Sequence, residues 1–178
     1  MSSVMIRPTE PQVDGYRKHT ISLFVANRPG VLIRISLVFA RRGYNIDSLV
    51  VSPSADPHFS MMNIVASGDE KVLDQILKQL NKLIDVVHAR DRTGEDIIQR
   101  ELALVKVRCD ASQRSELLQL AHALKADPVD IDEASVTLEM TGASERLDSA
   151  ISVLEPYGVF ELIRTGKVLM ARGNQPTA

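Results

Sequence analysis

Apolar residues in this chain recur with two different periods, and the periods alternate in an order that is run through twice. Ile21, Leu23 and Val25 are spaced by two, the period of a strand with one buried face. Asn27-Arg28-Pro29-Gly30 interrupts it. Val31 to Arg42 then carries Leu32, Ile35 and Phe39 at helical spacing, and Gly43 stands where helices often end. Asn45–Ser52 and Phe59–Ala66 read as strands on either side of a loop with Pro53 and Pro57. Ser67 and Glu70 fit a capping box ahead of a helix whose stripe is Leu73, Ile76, Leu77, Leu80, Leu83 and Ile84. Val86–Arg90 closes the set with a fourth strand.

Arg92-Thr93-Gly94-Glu95-Asp96 is polar and breaks the pattern, and the same order then resumes. Leu102–Cys109 reads as a strand. Leu117, Leu120, Ala121 and Leu124 mark a helix that Asp127-Pro128 stops. Val129–Asp132 and Val136–Met140 are strands, and Leu147, Ala150, Ile151 and Leu154 mark a helix closed by Pro156 and Gly158. Val159–Arg164 is a last strand, with one more expected at Val168–Ala171. The order β-α-β-β-α-β is the ferredoxin-like arrangement. The expected fold class is therefore α+β, two tandem ferredoxin-like units about 80 residues apart. Residues 1–18, with Pro8, Pro11, Gly15 and no periodicity, are expected to be a flexible tail. The first unit is assigned to 19–95 and the second to 96–178.

A chain of 178 residues, 44% hydrophobic and 25% charged, suits two small globular units. A net charge of −2 supplies no field for nucleic acid. One cysteine, Cys109, excludes an internal disulfide and fits a reducing compartment. The most apolar stretch, Val31–Ala40, contains Arg34 and Ser36 and falls far short of the ~20 residues of a membrane helix. The N-terminus has no charged-then-apolar signal pattern. A soluble, cytoplasmic protein is expected. Helices cover only one sheet face in such a unit, yet the second and third strands are apolar on both sides: Ile46 and Val50 against Leu49 and Val51, Met61 and Val65 against Met62 and Ile64. A bare apolar face calls for a homo-oligomer or a partner protein.

Catalytic chemistry is not evident. There is no G-x-S-x-G, Walker loop or G-x-G-x-x-G. Cys109 ends a strand pattern with no histidine near it, which suits a buried thiol rather than a nucleophile. His19, His58, His88 and His122 lack metal-ligand spacing and read as surface or strand-edge residues. Asp130 and Asp132 share a strand face, as a cation site or, more simply, a solvated edge. Arg41 and Arg42, with Arg34, are the solvated side of the first helix or a charged contact with a partner. No catalytic residue and no metal ligand is assigned.

Asn27-Arg28-Pro29-Gly30-Val31-Leu32 stands apart. A strand runs through Pro-Gly into a helix whose first N–H groups have no internal partner, and with the helix dipole these can receive a carboxylate. Gly30 has no Cβ to keep a ligand off the backbone. Asn27 offers an amide, and Leu32 can floor a small apolar pocket. These parts suit an amino acid; the plain alternative is an ordinary tight turn. The matching turn of the second unit, Asp110-Ala111-Ser112, lacks Pro and Gly.

At this motif the chain resembles the ACT domain, a regulatory module that binds amino acids. Through His19–Leu32, Arg41–Leu49, Gln75–Ile84, Arg100–Val107 and Gly166–Gly173 it resembles the small regulatory subunits of acetolactate (acetohydroxyacid) synthase over about residues 19–173. The resemblance makes the first unit an ACT domain that binds effector and dimerises. It implies a regulatory subunit with no active site or cofactor of its own. Thiamine diphosphate, FAD and magnesium belong to the large catalytic subunit, its partner. That partner joins two pyruvates, or pyruvate and 2-ketobutyrate, in branched-chain amino acid synthesis. The small subunit raises the partner's activity and confers feedback inhibition by valine. Effector sites in the family lie at the interface of an ACT-domain homodimer. By position they fall on Asn27, Gly30, Val31 and Leu32 of one chain with Asn45 and Ile46 of the other. Arg28-Pro29 departs from the acidic or small residues expected there in some relatives. The runner-up is an ACT-like, ligand-responsive transcription regulator, against which stands the lack of a helix-turn-helix or basic recognition helix. A metal-handling ferredoxin-like protein is disfavoured by the absence of C-x-x-C.

Overall fold

The computed structural model describes residues 16–178. Elements follow in the order β1 (Tyr16–Ala26), α1 (Val31–Ala40), β2 (Asn45–Pro53), β3 (Phe59–Asp69), α2 (Glu70–Leu80), β4 (Val86–Asp91), β5 (Ile98–Arg108), α3 (Arg114–Ala123), β6 (Asp127–Ile131), β7 (Ser135–Gly142), α4 (Ser144–Leu154), β8 (Val159–Arg164) and β9 (Val168–Met170). The sheets run β2-β3-β1-β4 and β6-β7-β5-β8, with antiparallel neighbours. This is the ferredoxin-like arrangement, twice. Of the expected tail, residues 1–15 lie outside the described residues, and Tyr16–Lys18 already belong to β1.

In the first unit Ile21, Leu23 and Val25 of β1 and Met62 and Ile64 of β3 point to one face, where Ile35 and Phe39 of α1 and Leu73, Ile76 and Leu80 of α2 cover them. The alternation of period two in the strands and the helical stripes meet in one core. His19 shares the strand period and is buried beside Tyr44, with neither ring nitrogen partnered. It is not the surface residue expected; His58, His88 and His122 are exposed. Gly68 is needed by the same packing, since a Cβ there would lie 2.3 Å from the Tyr44 ring. In the second unit Ala103, Val105 and Val107 with Val136, Leu138 and Met140 pack under Leu117, Leu147 and Leu154. Cys109 is a buried free thiol in this core.

Three local expectations are corrected. Ser67 does not open a capping box: β3 runs on to Asp69, Ser67 Oγ donates to Asp47, and the Asp69 carboxylate caps α2 by accepting from Lys71 N at 2.8 Å. α2 stops at Leu80, leaving Ile84 96% exposed. Asn81 ends it, donating to Leu77 O and Ala89 O and accepting from Ala89 N, so it ties the helix end to β4. Asp127-Pro128 opens β6 instead of stopping α3, which ends earlier at Ala123.

Chain order and compactness also part company. Of the described residues, one compact unit takes in 16–99 and again Gly166–Ala178; the other is Arg100–Thr165. The assignment of all of 96–178 to the second unit is thus corrected. The returning segment lies on the sheet face that the helices leave open. Ser22 Oγ donates to Thr177 O at 2.7 Å, and Gly166 sits against Ser48 and Val50. The buried Arg92 donates to Pro176 O at 3.0 Å and to Thr177 O at 2.7 and 3.0 Å, and its Nη1 reaches Glu95 at 2.6 Å. The expectation of a bare apolar face is corrected accordingly: Ser22, Asn63 and Val65 on that face are buried.

Candidate functional site

The β1–α1 turn is built as the residues suggested. Gly30 sits at φ +84°, the left-handed region where a side chain is strained, and no side chain caps α1. Val31 N donates to Arg28 O at 3.4 Å and Arg34 N to Gly30 O at 3.2 Å. Among the described residues, no acceptor meets the N–H groups of Leu32 and Ile33 between them. Two adjacent backbone donors at the positive end of a helix dipole are therefore open. Asn27 Nδ2 donates to Pro57 O at 3.0 Å, which fixes the amide and leaves its oxygen as the free acceptor. Leu32 is 43% exposed and Val31 is buried, so the first turn shows an apolar shoulder. The turn thus offers backbone donors, an amide acceptor and an apolar shoulder.

Asn45 and Ile46 are elsewhere. Asn45 pairs with Ser67, which pairs with Lys18, whereas the Gly30 turn follows Ala26, which pairs with Phe59. Eight register steps, about 26 Å, separate the two ends of the sheet. One chain by itself does not bring the six residues together.

The second unit's matching turn differs by a charge. Asp110 Oδ1 accepts from Ser112 N at 2.8 Å, Ser112 Oγ at 2.6 Å and Gln113 N at 3.1 Å. The Ser112 hydroxyl, then the Gln113 and Ser112 amides, hold its carboxyl below the usual value. A hollow of about 480 Å³ opens there, lined by Arg108, Gln113, Glu133 and Phe160 among others. The Asp110 carboxylate thus lies on the amides of Ser112 and Gln113, the two residues just ahead of α3. Besides lacking Pro and Gly, this turn has Asp110 followed two residues later by Ser112, a spacing that signals an aspartate bonded to its own following amides. Among the described residues no cluster of His, Cys, Asp or Glu is arranged to hold a metal. Asp130 and Asp132 lie exposed at the sheet edge. No described helix is long and apolar enough to cross a membrane.

Comparison with known proteins places this geometry. Residues 21–88 match the AHAS small subunit-like ACT domain, and residues 100–173 match the small subunit of acetolactate synthase. The chain belongs to the acetolactate synthase small-subunit family. It is 42% identical over 160 residues to the acetolactate synthase small subunit of Mycolicibacterium smegmatis, covering 90% of this chain and 94% of that one. It is 42% identical over 158 residues to a probable acetolactate synthase small subunit of Archaeoglobus fulgidus, covering 89% and 99%. The crystal structure of the Thermotoga maritima acetolactate synthase small subunit superposes with a TM-score of 0.78 at 37% identity, covering 89% of this chain and 99% of that one. The transcription-regulator and metal-handling readings give way to this membership. As a small subunit of this family, the chain carries its ACT domain in the first unit, the unit with the open turn.

Proposed function

We propose that this small subunit activates a thiamine-diphosphate-dependent acetolactate synthase catalytic subunit and makes it sensitive to valine. The observation that carries the reading is the Gly30 turn: a left-handed glycine leads straight onto the open Leu32 and Ile33 amides with no side-chain carboxylate at the turn, whereas the matching turn of the other unit carries its own Asp110 carboxylate on the Ser112 and Gln113 amides. Thiamine diphosphate, FAD and magnesium are assigned to the catalytic subunit, which performs the acyl transfer in the cytoplasm. The small subunit contributes no reacting group.

A homodimer completes the site on this reading. Among the described residues β2 is an edge strand of its sheet. Two such edges pairing antiparallel across a two-fold axis set the start of one strand beside the end of the other. Asn45 and Ile46 of the partner subunit then arrive at the end of the sheet that holds Asn27, Gly30, Val31 and Leu32. Valine bound between them favours one arrangement of the dimer, and the catalytic subunit responds to that bias.

Reconstitution tests this. The purified chain alone is expected to form no acetolactate from pyruvate, to raise the rate when added to the catalytic subunit, and to lower it again when valine is present. Turnover by the chain alone, or no effect on the catalytic subunit, overturns the proposal.

A further inference from the structure

Arg34 lies in the first turn of α1, and its side chain folds back over the Gly30 turn. Nε and Nη2 both donate to Asp85 Oδ2, at 2.8 and 2.6 Å. The Asp85 side chain is only 7% exposed. A carboxylate so withdrawn from water needs a cation, and among the described residues Arg34 supplies it. Asp85 is itself anchored, since its backbone oxygen accepts from Ala26 N at 2.8 Å, at the strand end that launches the turn. The remaining nitrogen, Nη1, has no acceptor among the described residues. It stands 3.2 Å from the point where a side chain on Gly30 would begin.

We infer that Arg34, aimed by Asp85, is a specificity residue of the effector site: its Nη1 supplies a fully charged donor to the effector's carboxylate, beside the amides of Leu32 and Ile33. The inference rests on the reading of this turn as the effector site. Backbone amides and a helix dipole carry only partial charge, and a charge-assisted hydrogen bond is about twice as strong as a neutral one. Gly30 then has a second purpose, because any Cβ would crowd the nitrogen that does the binding. Asp85 acts through Arg34 and is a positioning residue.

The test compares valine with valinamide, which keeps the ammonium and side chain but has a neutral amide in place of the carboxylate. Both are titrated calorimetrically into the full chain. Wild type is expected to prefer valine. Arg34→Gln is expected to weaken valine by about 10- to 100-fold and valinamide little, so that the preference collapses. Arg34→Lys keeps a cation for Asp85, and so the fold, but its single ammonium cannot hold Asp85 and reach the turn together; the preference is expected to collapse there too. A folded variant that keeps the wild-type preference, or loses both ligands equally, overturns the role of Arg34. Wild type that binds neither compound overturns the effector reading itself.

Discussion

A side chain at Gly30 would meet two obstacles of different kinds. At φ +84° the backbone itself disfavours it, by about 1 kcal/mol, and its Cβ would lie 3.2 Å from Arg34 Nη1. Gly30→Ala meets both without adding charge. Gly30→Asp also sets a carboxylate where the effector's would bind. Like charges ~4 Å apart repel by about 1 kcal/mol in water and about 4 kcal/mol at an effective dielectric of 20. Losing the charged hydrogen bonds adds ~1.5–3 kcal/mol, which together means at least ~50-fold in affinity. Gly30→Asp is expected to abolish valine inhibition and spare activation, with Gly30→Ala intermediate. A valine dose–response on the reconstituted enzyme measures this, and an unchanged midpoint for Gly30→Asp would leave the turn as only a turn. His19 is a residue whose place was open to reading: it keeps the step of two that Ile21, Leu23 and Val25 set. That it is buried beside Tyr44, 25 residues further on, was not.

Among the elements, helix starts are where local sequence misled. Ser67 and Glu70 have the right spacing for a capping box, but pairing with β1 carries β3 through Ser67 to Asp69, and the cap passes to the aspartate. Sheet pairing outweighs a local motif because it satisfies several backbone groups at once. Asp110 is the opposite case, a local device that works. Its pKa is lower in the fold than its ordinary 3.8, so its contribution is present above that value and is lost as pH falls through the lower folded value. Asp110→Ala is therefore expected to lower the melting temperature at neutral pH, with the difference from wild type closing below pH 3.8. Melting curves of both proteins across pH check the sign. A difference that persists in acid would mean that the carboxylate's charge is not what holds the turn.

For the whole molecule, the return of Gly166–Ala178 to the first unit changes what a truncation does. A fragment ending at residue 95 keeps the Gly30 turn, yet it strips a buried guanidinium of Pro176 O and Thr177 O and uncovers Ser22. Glu95 stays with Arg92, but hydrogen bonds to a charged group are worth about 1.5–3 kcal/mol each, a large part of a small domain's stability. The fragment is expected to be poorly folded and to lose valine binding. A chain in which 100–165 are replaced by a short Gly/Ser linker retains both parts of the first unit and is expected to fold and to bind. Circular dichroism and calorimetric titration of the two compare them directly. Equal stability of both would show that the returning segment adds nothing.

What the residues determined by themselves was whatever is periodic or stereochemical. The two βαββαβ units, the faces of their strands and helices, and the glycine at a left-handed turn all follow from spacing and from the lack of a Cβ. The candidate donors Leu32 and Ile33 follow too, because the first amides of any helix lack internal partners. Tertiary structure decided what joins distant positions. Arg34 finding Asp85, Arg92 finding Pro176 and Thr177, and Asn27 finding Pro57 are contacts between residues 30 to 85 apart. Spacing along the chain carries no record of such pairs, because each is chosen by which surfaces the packed sheet brings face to face.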